Sequence, residues 1–398
     1  MFGNLDEEKK ARLREKLLKA AAASSTAPAH VSSSSDSDGA QQVPPAHDAS
    51  TTAASEKLRI NAKSTEIEIS NIRLFTLDEL DLNQLTACTV LSLRKNLIHE
   101  LTAFPQHLAA RLNELDLFDN KIKRVRDFFD SAMIPDSTTG VLAKQPLPHA
   151  FTSLTKLDLS YNQIRKIRGF ESLGPTLKEL YLVENKIKAV EGLDTLVNLE
   201  LLELGGNRIR EIGSGLSNLT SLQKLWLGKN KITRIGTALN TLSKLQLVSI
   251  QANRLLSIEP DEFKAGCNPQ LKEVYLSENG ISKIENLPLH SVHLLDLSFN
   301  PIESINEDVI NSANMPELEE FWLTDGKIND WAEVRKFNAF EGTLRTIYVE
   351  RNPIEQDKRY RDKVYMYLPF VTQIDSWPVL NKDNLEADRT IQRRVERS

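Results

Sequence analysis

LDLSYNQI (157–164), LYLVENKI (180–187), LELGGNRI (202–209) and LWLGKNKI (225–232) are consecutive copies of one phrase, LxLxxNxI. The phrase starts earlier, as LSLRKNLI (91–98) and LDLFDNKI (115–122). It continues in weaker form as VSIQANRL (248–255), VYLSENGI (274–281), LDLSFNPI (295–302), FWLTDGKI (321–328) and IYVERNPI (347–354). Asn162, Asn185, Asn207, Asn230 and Asn253 recur every 22 or 23 residues. Self-similarity at a fixed period outranks local propensity as a sign of architecture.

Each part of the phrase has a physical role. Alternating leucines in LxLxx define a short strand that turns them inward and shows the residues between them outward. The Asn amide can satisfy backbone groups where the chain leaves the strand. Beyond it, Ile187, Val190, Leu193, Leu196 and Leu199 recur roughly every three residues, a period that suits 3₁₀-like turns. One such unit cannot bury its own apolar face, so neighbours must stack and both ends need caps. The reading is an α/β leucine-rich-repeat solenoid. It has a curved parallel β-sheet on the concave face, short 3₁₀ or helical turns on the convex face, and a helical C-terminal cap.

The phrase also sets the boundaries. Residues 1–57 read as an N-terminal tail, a short helix over 5–23 followed by a Ser-, Ala- and Pro-rich linker too poor in apolar surface to fold. The solenoid is expected over 58–377, with IEISNIRLF (67–75) starting its N-terminal cap. A C-terminal cap is expected over 353–377, where Tyr360, Val364, Tyr367 and Leu368 have helical spacing. Residues 378–398 read as a charged tail. Asn120 and Asn162 stand 42 residues apart, so 126–150 is an insertion, and its Pro, Ser and Gly suit a protruding loop. Gly326 replaces the repeated Asn and is expected to loosen that turn. The longer spacings near 253–279 and after 300 are expected to carry helical turns.

Composition narrows the function. With 50 Lys+Arg against 55 Asp+Glu the formal net charge is −5, without the basic footprint of a nucleic-acid binder. The charged N-terminus is not a secretory signal, and no apolar run approaches the ~20 residues of a membrane helix. Two distant cysteines, Cys88 and Cys267, fit reduced thiols. No phosphate loop, nucleophile motif or CxxC occurs. His290 and His293 lack partners at metal-ligand spacing, so neither a catalytic residue, a metal nor a cofactor is expected. The informative positions lie between the two inward residues of each strand: Ser92, Asp116, Asp158, Tyr181, Glu203, Trp226, Ser249, Tyr275, Asp296, Trp322 and Tyr348. Geometry places them in one column on the concave sheet, about 4.8 Å apart from coil to coil. Aromatic side chains interleaved with acids on an exposed face favour a protein partner that presents Lys or Arg.

More specific phrases carry a resemblance. LVENKI (182–187), LELGGNRIR (202–210), LGKNKIT (227–233), ELEEFWLTDGKINDW (317–331) and YVERNPIEQDKRYRDKVYMYLPFVTQID (348–375) resemble the leucine-rich-repeat regulatory subunit 7 family of protein phosphatase 1. The resemblance spans about 67–377 and implies a non-catalytic subunit that holds the phosphatase catalytic subunit on its concave face. By position it assigns that contact to Asp158, Tyr181, Glu203, Trp226, Asp296, Glu320, Trp322 and Tyr348. Asp116 and Tyr275 are further candidates on the same face. Tyr181 and Trp226 keep the aromatic character where the family is expected to have Phe. The insertion and the long N-terminal tail have no counterpart in the family core. The resemblance also implies a third protein, inhibitor-3, a role in chromosome segregation, and residence in nucleus and cytoplasm. Two other readings use the same scaffold, a spliceosomal protein holding an RNA-binding partner and a cytoskeletal adaptor. The acidic column argues against the first and the lack of an added partner domain against the second.

Overall fold

Short parallel strands, one per coil, build a single long sheet. The computed structural model describes residues 63–379 except 137, 138, 148 and 288. The expected tail over 1–57 lies outside the described residues, as does the charged tail expected over 378–398 apart from its first two residues, of which Pro378 instead ends the last strand of the sheet. The strands are Glu66–Glu68 (β1), Val90–Ser92 (β2), Glu114–Asp116 (β3), Lys156–Asp158 (β6), Glu179–Tyr181 (β7), Leu201–Glu203 (β8) and Lys224–Trp226 (β9). They continue as Leu247–Ser249 (β10), Glu273–Tyr275 (β11), Leu294–Asp296 (β12), Glu320–Trp322 (β13), Thr346–Tyr348 (β14) and Gln373–Ile374 (β15). Each pairs in parallel with the next, and only the last strand, Trp377–Pro378 (β16), runs antiparallel, against β15. The solenoid therefore has strand coils beyond the eleven motif copies. Ile67 of the first cap sits opposite Leu91, and Ile374 of the last sits opposite Ile347.

Every three-residue strand buries its middle residue, as Leu157, Leu180, Leu202 and Leu225 do. Ile187, Val190, Leu193, Leu196 and Leu199 are all buried too. This confirms that both leucine alternation and the period of three point into one continuous core.

The repeated Asn closes each coil onto its neighbour. Asn207 Nδ2 donates to the carbonyls of Leu182 at 2.8 Å and Leu204 at 3.0 Å, while its Oδ1 accepts the Ile187 N–H at 3.0 Å. Asn162, Asn185 and Asn230 repeat the pattern. Buried backbone groups that would otherwise lose water are satisfied this way. The residue before each Asn takes a left-handed φ, including Tyr161 at 57° and Phe299 at 57°. At Gly326 the ladder is broken. The Ile302 N–H, which an Asn there would receive, turns onto the Asn300 carbonyl at 2.8 Å.

Two expectations need correction. The 126–150 insertion is not a plain loop. Ser131–Pro135 (β4) and Leu142–Pro146 (β5) form an antiparallel hairpin. Its base is core: Phe128 and Phe129 are buried against Phe104, Phe151 and Phe170, with ring centroids 4.9–5.9 Å apart. Two adjacent aromatics outweigh the turn-forming residues around them. Helical turns follow the long spacing only in the last coil, with an α-helix at Trp331–Arg335 and a 3₁₀ helix at Lys336–Phe340. The 253–279 and 300–326 coils use hydrogen-bonded turns instead, whereas a 3₁₀ helix at Gly236–Thr241 sits in a coil of ordinary length.

The C-terminal cap has the helix read from its spacing, at Tyr360–Tyr367, with Val364 and Leu368 buried beneath it. Asp375 then accepts the Val349 and Glu350 N–H groups at 2.9 and 3.0 Å, taking the place of a next coil.

Candidate protein-binding face

A coil with one inward residue at the centre of a three-residue strand leaves the first and third residues on the opposite face. All ten candidates occupy those places. Asp116, Asp158, Tyr181, Glu203, Trp226, Tyr275, Asp296, Trp322 and Tyr348 end their strands, and Glu320 begins β13. The parallel register aligns them: Asp158 with Tyr181, Glu203 with Trp226, Asp296 with Trp322, and Trp322 with Tyr348.

The face has two halves of different chemistry. Between β2 and β8 it is charged. Ser92 Oγ donates to Asp116 Oδ2 at 2.9 Å, Arg94 pairs with the same carboxylate at 3.6 Å, and Lys156 pairs with Glu114 at 3.2 Å. Tyr181 donates its hydroxyl to Glu179 at 2.8 Å. Burial pushes that hydroxyl above its usual range, and the bond to Glu179 adds to the rise.

From β9 to β14 the face is aromatic. Trp226 stacks on Tyr275, Tyr275 meets Trp322 edge-on at 6.2 Å, and Trp322 meets Tyr348 at 5.3 Å. Leu247 and Leu294, which begin β10 and β12, complete this second apolar cluster outside the main core. The sequence column was read at the third position of each strand, with Glu320 as the one first-position residue added by the resemblance, and so it passed over these two leucines. The same period of two puts the first position on that face as well.

Not every candidate is free to touch a partner. Tyr275 is 3% exposed and Asp296 is 4% exposed. Tyr275 donates to Glu273 at 2.7 Å and serves as the floor on which Trp226 and Trp322 rest. The aspartates also hold their own turns: Asp116, Asp158 and Asp296 each accept the backbone N–H two residues on, at 2.8–2.9 Å. Burial pushes the carboxyls of Asp158 and Asp296 up, against the opposing hydrogen bonds from Ser160 and Ser298. The half-buried rings of Tyr181, Trp226, Trp322 and Tyr348 are what the face offers to a partner.

Sequence comparison reaches the same architecture. Leucine-rich-repeat family models match at three places, "Leucine-rich repeat" over 262–396, "Leucine rich repeat" over 152–209 and "Leucine Rich repeats (2 copies)" over 197–242. The fold is that of a leucine-rich-repeat protein. A leucine-rich-repeat protein of Leptospira interrogans superposes with a TM-score of 0.53 at 20% identity, covering 77% of this chain and 83% of that one. That likeness speaks for the fold alone.

Among curated proteins the chain is 36% identical, over 148 residues, to a protein phosphatase 1 regulatory inhibitor subunit of Arabidopsis thaliana. The match covers 36% of this chain and 39% of that relative. It is 39% identical over 49 residues to protein phosphatase 1 regulatory subunit 7 of Xenopus tropicalis, 12% of this chain and 14% of that one. The aligned stretches thus span well under half of either relative. Both carry the name to which the cap and strand phrases point. Among the described residues, no group of three or more His, Cys, Asp or Glu could hold a metal ion.

Proposed function

We propose that this leucine-rich-repeat protein is a non-catalytic regulatory subunit that holds the catalytic subunit of protein phosphatase 1 on its concave face. The observation that carries the reading is the aromatic row Trp226, Tyr275, Trp322 and Tyr348, set beside a charged half that includes Asp116 and Lys156. Large rings resting on an apolar floor present contact area already fixed in place, which lowers the ordering cost of association. The acids beside them suit a partner patch bearing Lys or Arg. Relatives named for phosphatase 1 regulation support the choice of partner.

The test is calorimetric titration of the full chain with the phosphatase 1 catalytic subunit. Wild type is compared with a variant carrying Trp226→Ala and Trp322→Ala. Truncating a ring at the centre of an interface often costs ~2 kcal/mol, so the double variant is expected to lose at least about tenfold in affinity while its circular dichroism spectrum stays that of the folded protein. Absence of binding by folded wild-type protein would remove the assignment. Adding inhibitor-3 to the same titration tests the ternary assembly that belongs to this proposal.

A further inference from the structure

Away from the concave face, two adjacent coils repeat a cationic phrase in register. Lys123-Arg124-Val125-Arg126 follows Asn120, and Arg165-Lys166-Ile167-Arg168 stands at the same distance after Asn162. The coil needs only the apolar member, and Val125 and Ile167 are buried while the six cations are exposed. The next coils do not continue the pattern, having Ala189 with Glu191 and then Glu211 with Gly213 at the equivalent places.

The six cations line one cleft of about 560 Å³. Gly169, at φ +85°, lies beneath it, where a Cβ would meet the Arg126 Cα at 2.9 Å. That close approach holds the two cationic turns against each other. Arg126 pairs with its neighbour Asp127 at 3.6 Å. Among the described residues, Lys123, Arg124, Arg165, Lys166 and Arg168 make no ion pair. Like charges held on adjacent coils repel, and nothing in the repeat requires them. The cost is offset when a compact dianion enters, because guanidinium and ammonium groups together match phosphate oxygens.

We propose that this cleft, which takes in the start of the 126–150 insertion, binds a phosphorylated segment of a partner protein. Its volume suits a phosphorylated side chain and its neighbours. Asp127, Asp130 and Glu171 also line it and disfavour a continuous polyanion, while among the described residues no aromatic ring lines it to stack the bases of RNA. The site is separate from the concave face, so it stands whether or not that face holds a phosphatase.

The experiment is fluorescence anisotropy at physiological salt on the full chain, with a labelled peptide carrying one phosphoserine between aspartates. Its unphosphorylated twin, oligouridylate RNA and phosphatidylserine-containing vesicles are measured alongside. The phosphopeptide is expected to bind at least about tenfold more tightly than its twin. Arg124→Gln with Lys166→Gln, both exposed and free of ion pairs among the described residues, should cost about tenfold more. Lys188→Gln with Arg210→Gln, on the following coils, should leave affinity unchanged. Equal binding of the twin, equal loss in the Lys188/Arg210 variant, or a preference for RNA or vesicles overturns the proposal. Circular dichroism confirms the fold of each variant. Should the double variant melt early, Lys166→Gln alone carries the comparison.

Discussion

Trp226 and Tyr275 stack over Ser249, their ring centroids 6.2 Å apart and their planes at 19°. They end β9 and β11, with β10 between them, and Ser249 is in register with both. Two strand spacings are about 9.6 Å, so the rings lean together over a small residue. The Ser249 hydroxyl is thereby fully buried and has no hydrogen-bond partner among the described residues. An unsatisfied buried polar group costs about 1–3 kcal/mol. Ser249→Ala is therefore expected to leave the melting temperature unchanged or to raise it, with an undisturbed tryptophan fluorescence spectrum. A clear loss of stability would mean that the hydroxyl is engaged.

Tyr275 is expected to act on stability rather than on contact. Tyr275→Phe keeps the floor and loses only the hydroxyl bond to Glu273, at a cost of about 1 kcal/mol. Tyr275→Ala removes a buried ring and should cost about 3–5 kcal/mol. Phosphatase affinity measured on the Phe variant should stay within about twofold of wild type, because the ring that supports Trp226 and Trp322 is kept. A large loss in that variant would place the hydroxyl in the interface.

The ladder predicts an asymmetry between two coils. Asn207→Ala strands the Ile187 N–H in the core and leaves the Leu182 and Leu204 carbonyls to the amides of Asn185 and Asn230 alone, so it should cost about 1–3 kcal/mol. Restoring the consensus with Gly326→Asn should not yield the reverse gain. A Cβ there would meet Asn352 Oδ1 at 2.8 Å, the same atom that accepts the Ile328 N–H. Thermal melts of the two variants check both halves, and a stabilised Gly326→Asn would show that the turn can re-form around the new amide.

Stability should depend on pH through Asp296. Burial raises its carboxyl above the ordinary value of 3.8. The folded state then holds the proton more tightly than the unfolded chain, so this contribution is complete below 3.8 and is lost as pH rises through the folded-state value. Asp296→Asn keeps an oxygen to accept the Ser298 N–H and carries no charge. The melting temperature of this variant relative to wild type should therefore climb with pH above 3.8. A difference that stays flat across that range would contradict a raised carboxyl.

Much of this protein is local in origin and hence legible in one dimension. Alternation of Leu157 and Leu159 about Asp158 sets the face of each residue, because a strand has a period of two. Asn207 marks where each coil turns because its amide serves backbone groups that every coil presents. Tyr360 and Val364 mark the cap by helical spacing. The candidate column was legible for the same reason, since equal repeats stacked in register must align equivalent residues.

Tertiary structure decided what that alignment does to each side chain. Trp226 and Tyr275 share the concave face by sequence position, yet one is half-buried and the other nearly fully covered. The difference arises because short Ser249 and self-bonded Asp296 leave room for neighbouring rings to lean over them. Phe128 and Phe129 sit in a segment rich in turn formers, and only the gap between Phe104, Phe151 and Phe170 makes them core. The cationic turns at Arg126 and Arg168 are 42 residues apart in the chain and line one cleft because β3 pairs directly with β6, which makes their coils neighbours. Periodicity determines which way a residue points. What it meets there depends on the size and shape of its neighbours on other coils, which the repeat does not specify.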